Sequence, residues 1–246
     1  MFSRDDVIVV TGASSGIGRA VAVACARSGA TVIAQGRSGE KLENARKSLQ
    51  EPSAWHSMEY DFRNIDGIGD WLRDIRATFG KLFGLVHCAG DGIMDSLRNC
   101  AYPAAKKHFD LNFHLPVQLA RVFSDKRIHG REAAIVLIAS AAGIFPEKGH
   151  LTYGAAKAAL INAAKSMAIE LAPSVRVNCI APGIVETPMQ ASVERFMGQS
   201  YREKMLSGYP LGFGKPEDIA HMAVFLLSKK ARWITGQNVI LSGGRY

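Results

Sequence analysis

Tyr153 and Lys157 stand four residues apart in Tyr153-Gly154-Ala155-Ala156-Lys157. On a helix that spacing puts a phenol and an ammonium on one face. The residues that follow, Ala158-Ala159-Leu160-Ile161-Asn162-Ala163-Ala164-Lys165, favour helix strongly. A cation beside a phenol favours phenolate and draws the pKa below its ordinary value of about 10. The pair therefore reads as a proton donor and acceptor usable near neutral pH. By itself the spacing is common on helices, so the rest of the chain must say what the phenol acts on.

A second group of residues follows the first apolar run, Val7-Ile8-Val9-Val10. It reads Thr11-Gly12-Ala13-Ser14-Ser15-Gly16-Ile17-Gly18 and opens a helical pattern. Glycines there permit a tight turn and close approach of backbone to a pyrophosphate. The helix start adds free N–H groups and partial positive charge. Gly12, Ser14, Ser15, Gly16, Ile17 and Gly18 are thus a candidate dinucleotide cradle.

The elements that must position both groups alternate along the chain. Apolar runs at 7–10, 31–34, 55–60, 83–88, 134–138, 175–180 and 238–241 read as strands. Helical patterns lie at about 18–28, 40–49, 65–79, 102–123, through Tyr153 to about 171, and 216–227. The strands lack polar alternation, which predicts burial on both faces and a parallel sheet. The expected fold is a single-domain (1–246), Rossmann-type, doubly wound α/β sheet of about seven strands with helices on both faces. The stretch 183–210 looks irregular, with Gly183, Pro188, Gly198, Gly208 and Pro210. It follows a strand and is the expected substrate-binding loop.

Composition narrows the function. At 246 residues, 48% hydrophobic and 21% charged, the chain suits a folded cytoplasmic protein with a large core. Cys25, Cys88, Cys100 and Cys179 have no paired spacing, so reduced buried thiols are expected rather than disulfides or metal ligands. No leader pattern opens the chain and no apolar run reaches membrane-span length. The net charge of +8 is spread over separate segments and no aromatics interleave with it. Nucleic-acid and membrane binding are therefore not expected. Only Lys126-Arg127-Ile128-His129-Gly130-Arg131 forms a compact basic cluster.

Thr-Gly-x-x-x-Gly-x-Gly together with Tyr-x-x-x-Lys resembles the short-chain dehydrogenase/reductase family. The resemblance runs the length of the chain. Ser140 lies 13 residues before Tyr153, Asn112 sits in Asp110-Leu111-Asn112, and Pro182-Gly183 precedes Thr187. Ile234-Thr235-Gly236-Gln237 and Gly243-Gly244 match the family's C-terminal pattern. Two places depart from it. The family's Asn-Asn-Ala-Gly here reads His87-Cys88-Ala89-Gly90, and Ser242 stands where Asp is common.

The resemblance implies an oxidoreductase that moves hydride between a nicotinamide and a carbonyl or secondary alcohol. It makes Tyr153 the general acid or base and Lys157 the group that lowers its pKa and holds the ribose. It makes Ser140 the donor to the substrate oxygen. Asn112 would kink its helix and hold a water leading to Lys157. Ala89, Gly90, Pro182, Gly183, Val185 and Thr187 would contact the cofactor, and Asp61 and Phe62 would flank its adenine. It also implies a homotetramer built through helices with small-residue faces, Ala155-Ala156-Ala158-Ala159 and Ala163-Ala164.

The second strand ends Ala34-Gln35-Gly36-Arg37-Ser38, with an arginine and no carboxylate. A guanidinium matches a 2′-phosphate, whereas a carboxylate would repel it. NADP(H) is therefore expected over NAD(H). The pocket should be lined by Ile93, Met94, Phe145, His150, Ile184, Val185 and Met189, largely apolar. The pattern is most similar to 3-oxoacyl-acyl-carrier-protein reductases, which implies acyl thioester substrates and an acidic carrier protein docked on Lys126–Arg131. Ile169 departs from that pattern, since an arginine often stands there. Sugar, polyol and steroid oxidation stay open within the family. A catalytically silent regulatory protein is disfavoured by the intact Ser140, Tyr153 and Lys157.

Overall fold

The computed structural model describes residues 1–49, 54–92 and 95–246. Seven parallel strands form one sheet in the order β3-β2-β1-β4-β5-β6-β7. They are β1 Val7–Thr11, β2 Thr31–Gly36, β3 Trp55–Glu59, β4 Leu82–His87, β5 His129–Ile138, β6 Val175–Pro182 and β7 Asn238–Leu241. β1 and β4 are buried along their whole lengths, as their unalternated apolar sequences require. The chain winds outward from β1 to β3, then returns to place β4 on the other side of β1. The switch point between β1 and β4 is where an open sheet of this kind leaves a crevice at its carboxyl ends.

Helices α1 (Gly16–Arg27), α2 (Gly39–Arg46) and α9 (Pro216–Leu227) cover one face. On the other face lie α3 (Ile68–Phe79), α5 (Leu115–Phe123) and α6 (Leu151–Leu171). α3 shows why: Ile68, Trp71, Leu72 and Ile75 recur at helical spacing and are all buried. The carbonyls at the end of α9 are satisfied from the sheet. Arg176 on β6 donates to Leu226 O at 2.7 Å and to Leu227 O at 3.0 Å. One member of the basic surplus is thus a helix cap.

Two sequence expectations change. The helix expected at 102–123 is α4 (Tyr102–Phe109) joined to α5 by a π turn, Asp110–His114. The wider turn falls on Asn112, where a kink was expected; such bulges gather at functional sites. The stretch 183–210 is more regular than its glycines and prolines suggest. It holds α7 (Pro188–Met197) and α8 (Gln199–Leu206), with Pro188 at the first helical position and Thr187 as cap.

Candidate active site

Three elements bring their polar residues to one cleft at the carboxyl ends of β4 to β6. Asn112 from the π turn, Ser140 beyond β5, and Tyr153 and Lys157 from α6 line a cavity of about 200 Å³. Gly90, Pro182, Gly183, Val185 and Thr187 share its wall. Lys157 is buried, and its Nζ donates to Ile138 O at 3.0 Å. That ammonium lies 5.7 Å from the centre of the Tyr153 ring. Ser140 Oγ accepts from Ala142 N at 3.2 Å, so it caps a short 3-10 turn as well as lining the cleft.

Burial changes the proton energetics foreseen from sequence. It pushes the Lys157 ammonium down to about 8. Tyr153 moves up from the ordinary phenol value, opposite to the expected direction. Desolvation is the main cause; a hydrogen bond with Ser140 works against it and the Asp91 carboxylate adds to it. A cation four residues away does not offset the cost of forming phenolate inside protein.

Asn112 is buried. Its Nδ2 donates to His108 O at 3.1 Å and to Asp91 Oδ1 at 3.2 Å. Its Oδ1 is buried without a partner among the described residues. A Cβ added to Gly90 would lie 3.0 Å from that oxygen and 3.7 Å from Lys157 Nζ. Glycine at position 90 thus leaves space beside an unsatisfied acceptor and a cation.

The phosphate turn also suits an anionic ligand. Ser15 is extended and makes no side-chain cap, and the first turn of α1 holds no acid, so its N–H groups point outward unneutralised. A Cβ on Gly18 would fall 2.2 Å from Gly12 O, so glycine is required there. Gly12, Ser14 and Ser15 complete this turn, and Gly16 lies against the Thr187 side chain. These features together fit a dinucleotide spanning from α1 to Lys157.

The end of β2 lies beside this turn: a Cβ on Gly36 would come within 3.1 Å of Ser14 Cβ. Arg37, the next residue, is exposed. Asp61 is held down at about 2, chiefly by hydrogen bonds from Arg63 and with a contribution from Arg37. The Phe62 side chain packs in the core against Tyr60 and Trp71, so a nucleotide contact from Phe62 falls to its backbone.

The structure answers for the altered Asn-Asn-Ala-Gly segment. Thr11 Oγ1 accepts from Cys88 N at 3.1 Å and Ala89 N at 3.2 Å. Its own proton is then free for His87 Nδ1, 2.9 Å away. His87 takes over the link between β1 and β4. Gln35 does the same between β2 and the turn, accepting from Gly12 N at 3.1 Å and donating to Tyr60 O at 2.6 Å. Sequence reasoning missed Gln35; a glutamine inside an apolar strand was the available signal.

Of the expected substrate-side residues, His150, Ile184, Val185 and Met189 line the cleft. Ile93 and Met94 lie outside the described residues. Phe145 is displaced from the wall by Tyr246, on which it stacks at 4.1 Å. The wall is more polar than expected, because Glu147, Gln190, Tyr201 and Tyr246 join it. Glu147 Oε1 accepts from Arg245 Nη2 at 2.8 Å and from Tyr246 OH at 2.5 Å. No grouping of metal-ligating side chains occurs among the described residues.

A sheet order with its switch point at β1 and β4, an open helix start and a Tyr–Lys pair whose ammonium is buried define a nicotinamide-dependent oxidoreductase. Residues 12–245 match the family model described as enoyl-(acyl carrier protein) reductase. The chain is 34% identical to 3-oxoacyl-[acyl-carrier-protein] reductase FabG of Thermotoga maritima, over 97% of this chain and 96% of that protein. It is 31% identical to NAD-dependent glycerol dehydrogenase of Listeria innocua, over 98% and 93%. A short-chain dehydrogenase/reductase from Brucella melitensis, described as glucose/ribitol dehydrogenase, has a similar structure (TM-score 0.92, 28% identity, 99% of this chain and 98% of that one). So does a variant of actinorhodin polyketide ketoreductase solved with NADPH (TM-score 0.91, 26% identity, 100% and 99%). The chain belongs to the short-chain dehydrogenase/reductase family. It is an oxidoreductase that transfers hydride between a nicotinamide and a carbonyl or secondary alcohol.

Proposed function

We propose that the protein is an NADP(H)-dependent carbonyl reductase whose proton donor is Tyr153. The meeting of Ser140, Tyr153, Lys157 and Asn112 in one cleft is the observation on which this reading stands. The bound dinucleotide supplies the hydride. Ser140 Oγ donates to the carbonyl oxygen and stabilises the charge that develops there. Tyr153 delivers the proton, and a phenol kept protonated by burial at neutral pH suits reduction. Lys157 orients the ribose and replenishes the proton. Arg37, exposed beside the turn and without a neighbouring carboxylate on β2, favours the 2′-phosphate. Ser14, Ser15, Gly16, Ile17, Ala89, Gly90, Asp61 and Thr187 complete the cofactor site, and the protein works as a cytoplasmic homotetramer. No helix among the described residues is long and apolar enough to cross a membrane.

An acyl thioester is the leading substrate class, supported by the identity to the Thermotoga protein. A carrier protein docked on Lys126–Arg131 is disfavoured. That cluster runs into the start of β5, and Ser140 lies beyond its end, about 30 Å away at strand rise. Arg127 is also paired with Asp125. The polar wall of Glu147, Gln190 and Tyr201 favours a second reading, oxidation or reduction of a polyol or sugar. Following NADPH absorbance with acyl thioesters, sugars and cyclic ketones side by side separates the two. Turnover of none of them, with NADPH bound, would support a silent cofactor-binding protein.

A further inference from the structure

One half-buried carboxylate beside the cleft has no part in the proton and hydride chemistry proposed for Tyr153 and Lys157. Asp91 follows Gly90 and lines the same cavity. Its Oδ1 lies 3.1 Å from His108 Nδ1 on α4 and 3.2 Å from Asn112 Nδ2 in the π turn. His108 is 7% exposed at the side chain and Asp91 34%, so the carboxylate joins a buried ring to the open cleft. Both hydrogens of the Asn112 amide are thereby committed, one to His108 O and one to Asp91. Its oxygen must then face the opposite side, toward Gly90 and Lys157. The carboxylate thus stands as a second acceptor beside His108 O, and a flipped amide would set its oxygen against both.

We propose that Asp91 is a positioning residue for proton transfer, its carboxylate holding the Asn112 amide oxygen toward Lys157 with His108 as its buried anchor. This inference rests on the reading of Tyr153 and Lys157 as the proton-transfer pair. The charge has a second effect, since Asp91 raises the pKa of both Tyr153 and Lys157. The other groups facing this cluster are few. Asp95 senses His108 from the loop before α4, and Asp110 in the π turn is tied to Lys106. His87 on β4 and the thiols of Cys88 and Cys179 face Lys157 and stay neutral, kept so mainly by burial. Among the described residues, Asp91 is therefore the carboxylate that acts on both members of the pair.

Two substitutions separate orientation from charge. Asp91→Asn keeps an acceptor for the Asn112 amide but removes the charge. The pH limb of turnover set by the Tyr153–Lys157 pair should move down by about half a unit or more, from Coulomb attraction across a partly screened site. Asp91→Ala removes the acceptor as well, and kcat should fall about tenfold with KM little changed. Asp91→Glu should recover part of both losses. NADPH affinity, read by fluorescence titration, and melting temperature should stay near wild type in Asp91→Asn. An unmoved pH limb in Asp91→Asn with kcat within twofold in Asp91→Ala would overturn the proposal. A rise in KM at constant kcat would also overturn it, making Asp91 a substrate contact. Equal loss of melting temperature and activity in all three variants would make its role structural. Tyr153→Phe run in parallel tells the two readings apart: if that variant stays active, the underlying assignment of the proton donor fails instead.

Discussion

Replacing His87 by asparagine should make the protein less sensitive to acid. The unfolded chain protonates this imidazole near pH 6.5. In the fold, burial and then the Lys157 charge push it down to about 3. Its Nδ1 already accepts from Thr11, so protonation would also break the bond joining β1 to β4. Because the folded value is depressed, the unfolded state takes up the proton first as pH falls. Stability is thus full above about 6.5 and is lost progressively between 6.5 and about 3, at roughly 1.4 kcal/mol per unit. By pH 5 the loss is about 2 kcal/mol. At about 2–4 °C per kcal/mol for a chain of this length, the wild type should lose about 4–8 °C of melting temperature from this group alone. Asparagine, which the family carries here, can still accept from Thr11 but does not titrate. Thermal melts of both proteins between pH 8 and 5 test this, and the other histidines cancel in the difference. Parallel curves for the two proteins would refute the argument.

Three further outcomes follow from the site. Tyr153→Phe keeps the ring beside Lys157 but removes the proton, so kcat should drop about 10²-fold or more while NADPH still binds by fluorescence titration. Arg37→Asp removes a charge-assisted phosphate contact worth about 1.5–3 kcal/mol and adds repulsion, so NADPH affinity should fall about tenfold or more while NADH affinity holds. If the variant weakens both cofactors equally, Arg37 does not read the phosphate. Light scattering should show a homotetramer, with the exposed residues Ala155, Ala158 and Ile169 of α6 at a subunit contact. Ile169→Glu should then shift the assembly to a smaller species. A monomeric wild type would remove this expectation.

Much of this architecture follows from local sequence. Unalternated runs such as Val7–Val10 can be buried only on both faces, and their alternation with helical patterns leaves few arrangements besides a parallel sheet. The glycine turn is legible because its backbone conformation needs those residues whatever surrounds them. Tyr153 and Lys157 are legible because helix geometry alone puts them together. The small-residue faces of α6 were only half legible. Ala156 and Ala164 are buried against the sheet, whereas Ala155 and Ala158 are exposed. Periodicity names the stripes of a helix but not which stripe meets the core.

What remained for the tertiary structure depends on partners distant in sequence and on burial. Thr11 with His87, Gly12 with Gln35, and Asp91 with His108 and Asn112 are pairs that no spacing rule connects. The basic cluster at 126–131 reads as a docking patch in sequence, but β5 carries it to the end of the sheet away from the cleft. The direction of the Tyr153 shift turned on desolvation, which is a property of everything packed around the hydroxyl. A neighbour at i+4 is written in the chain; the dielectric around it exists only once the sheet, π turn and α6 have closed together.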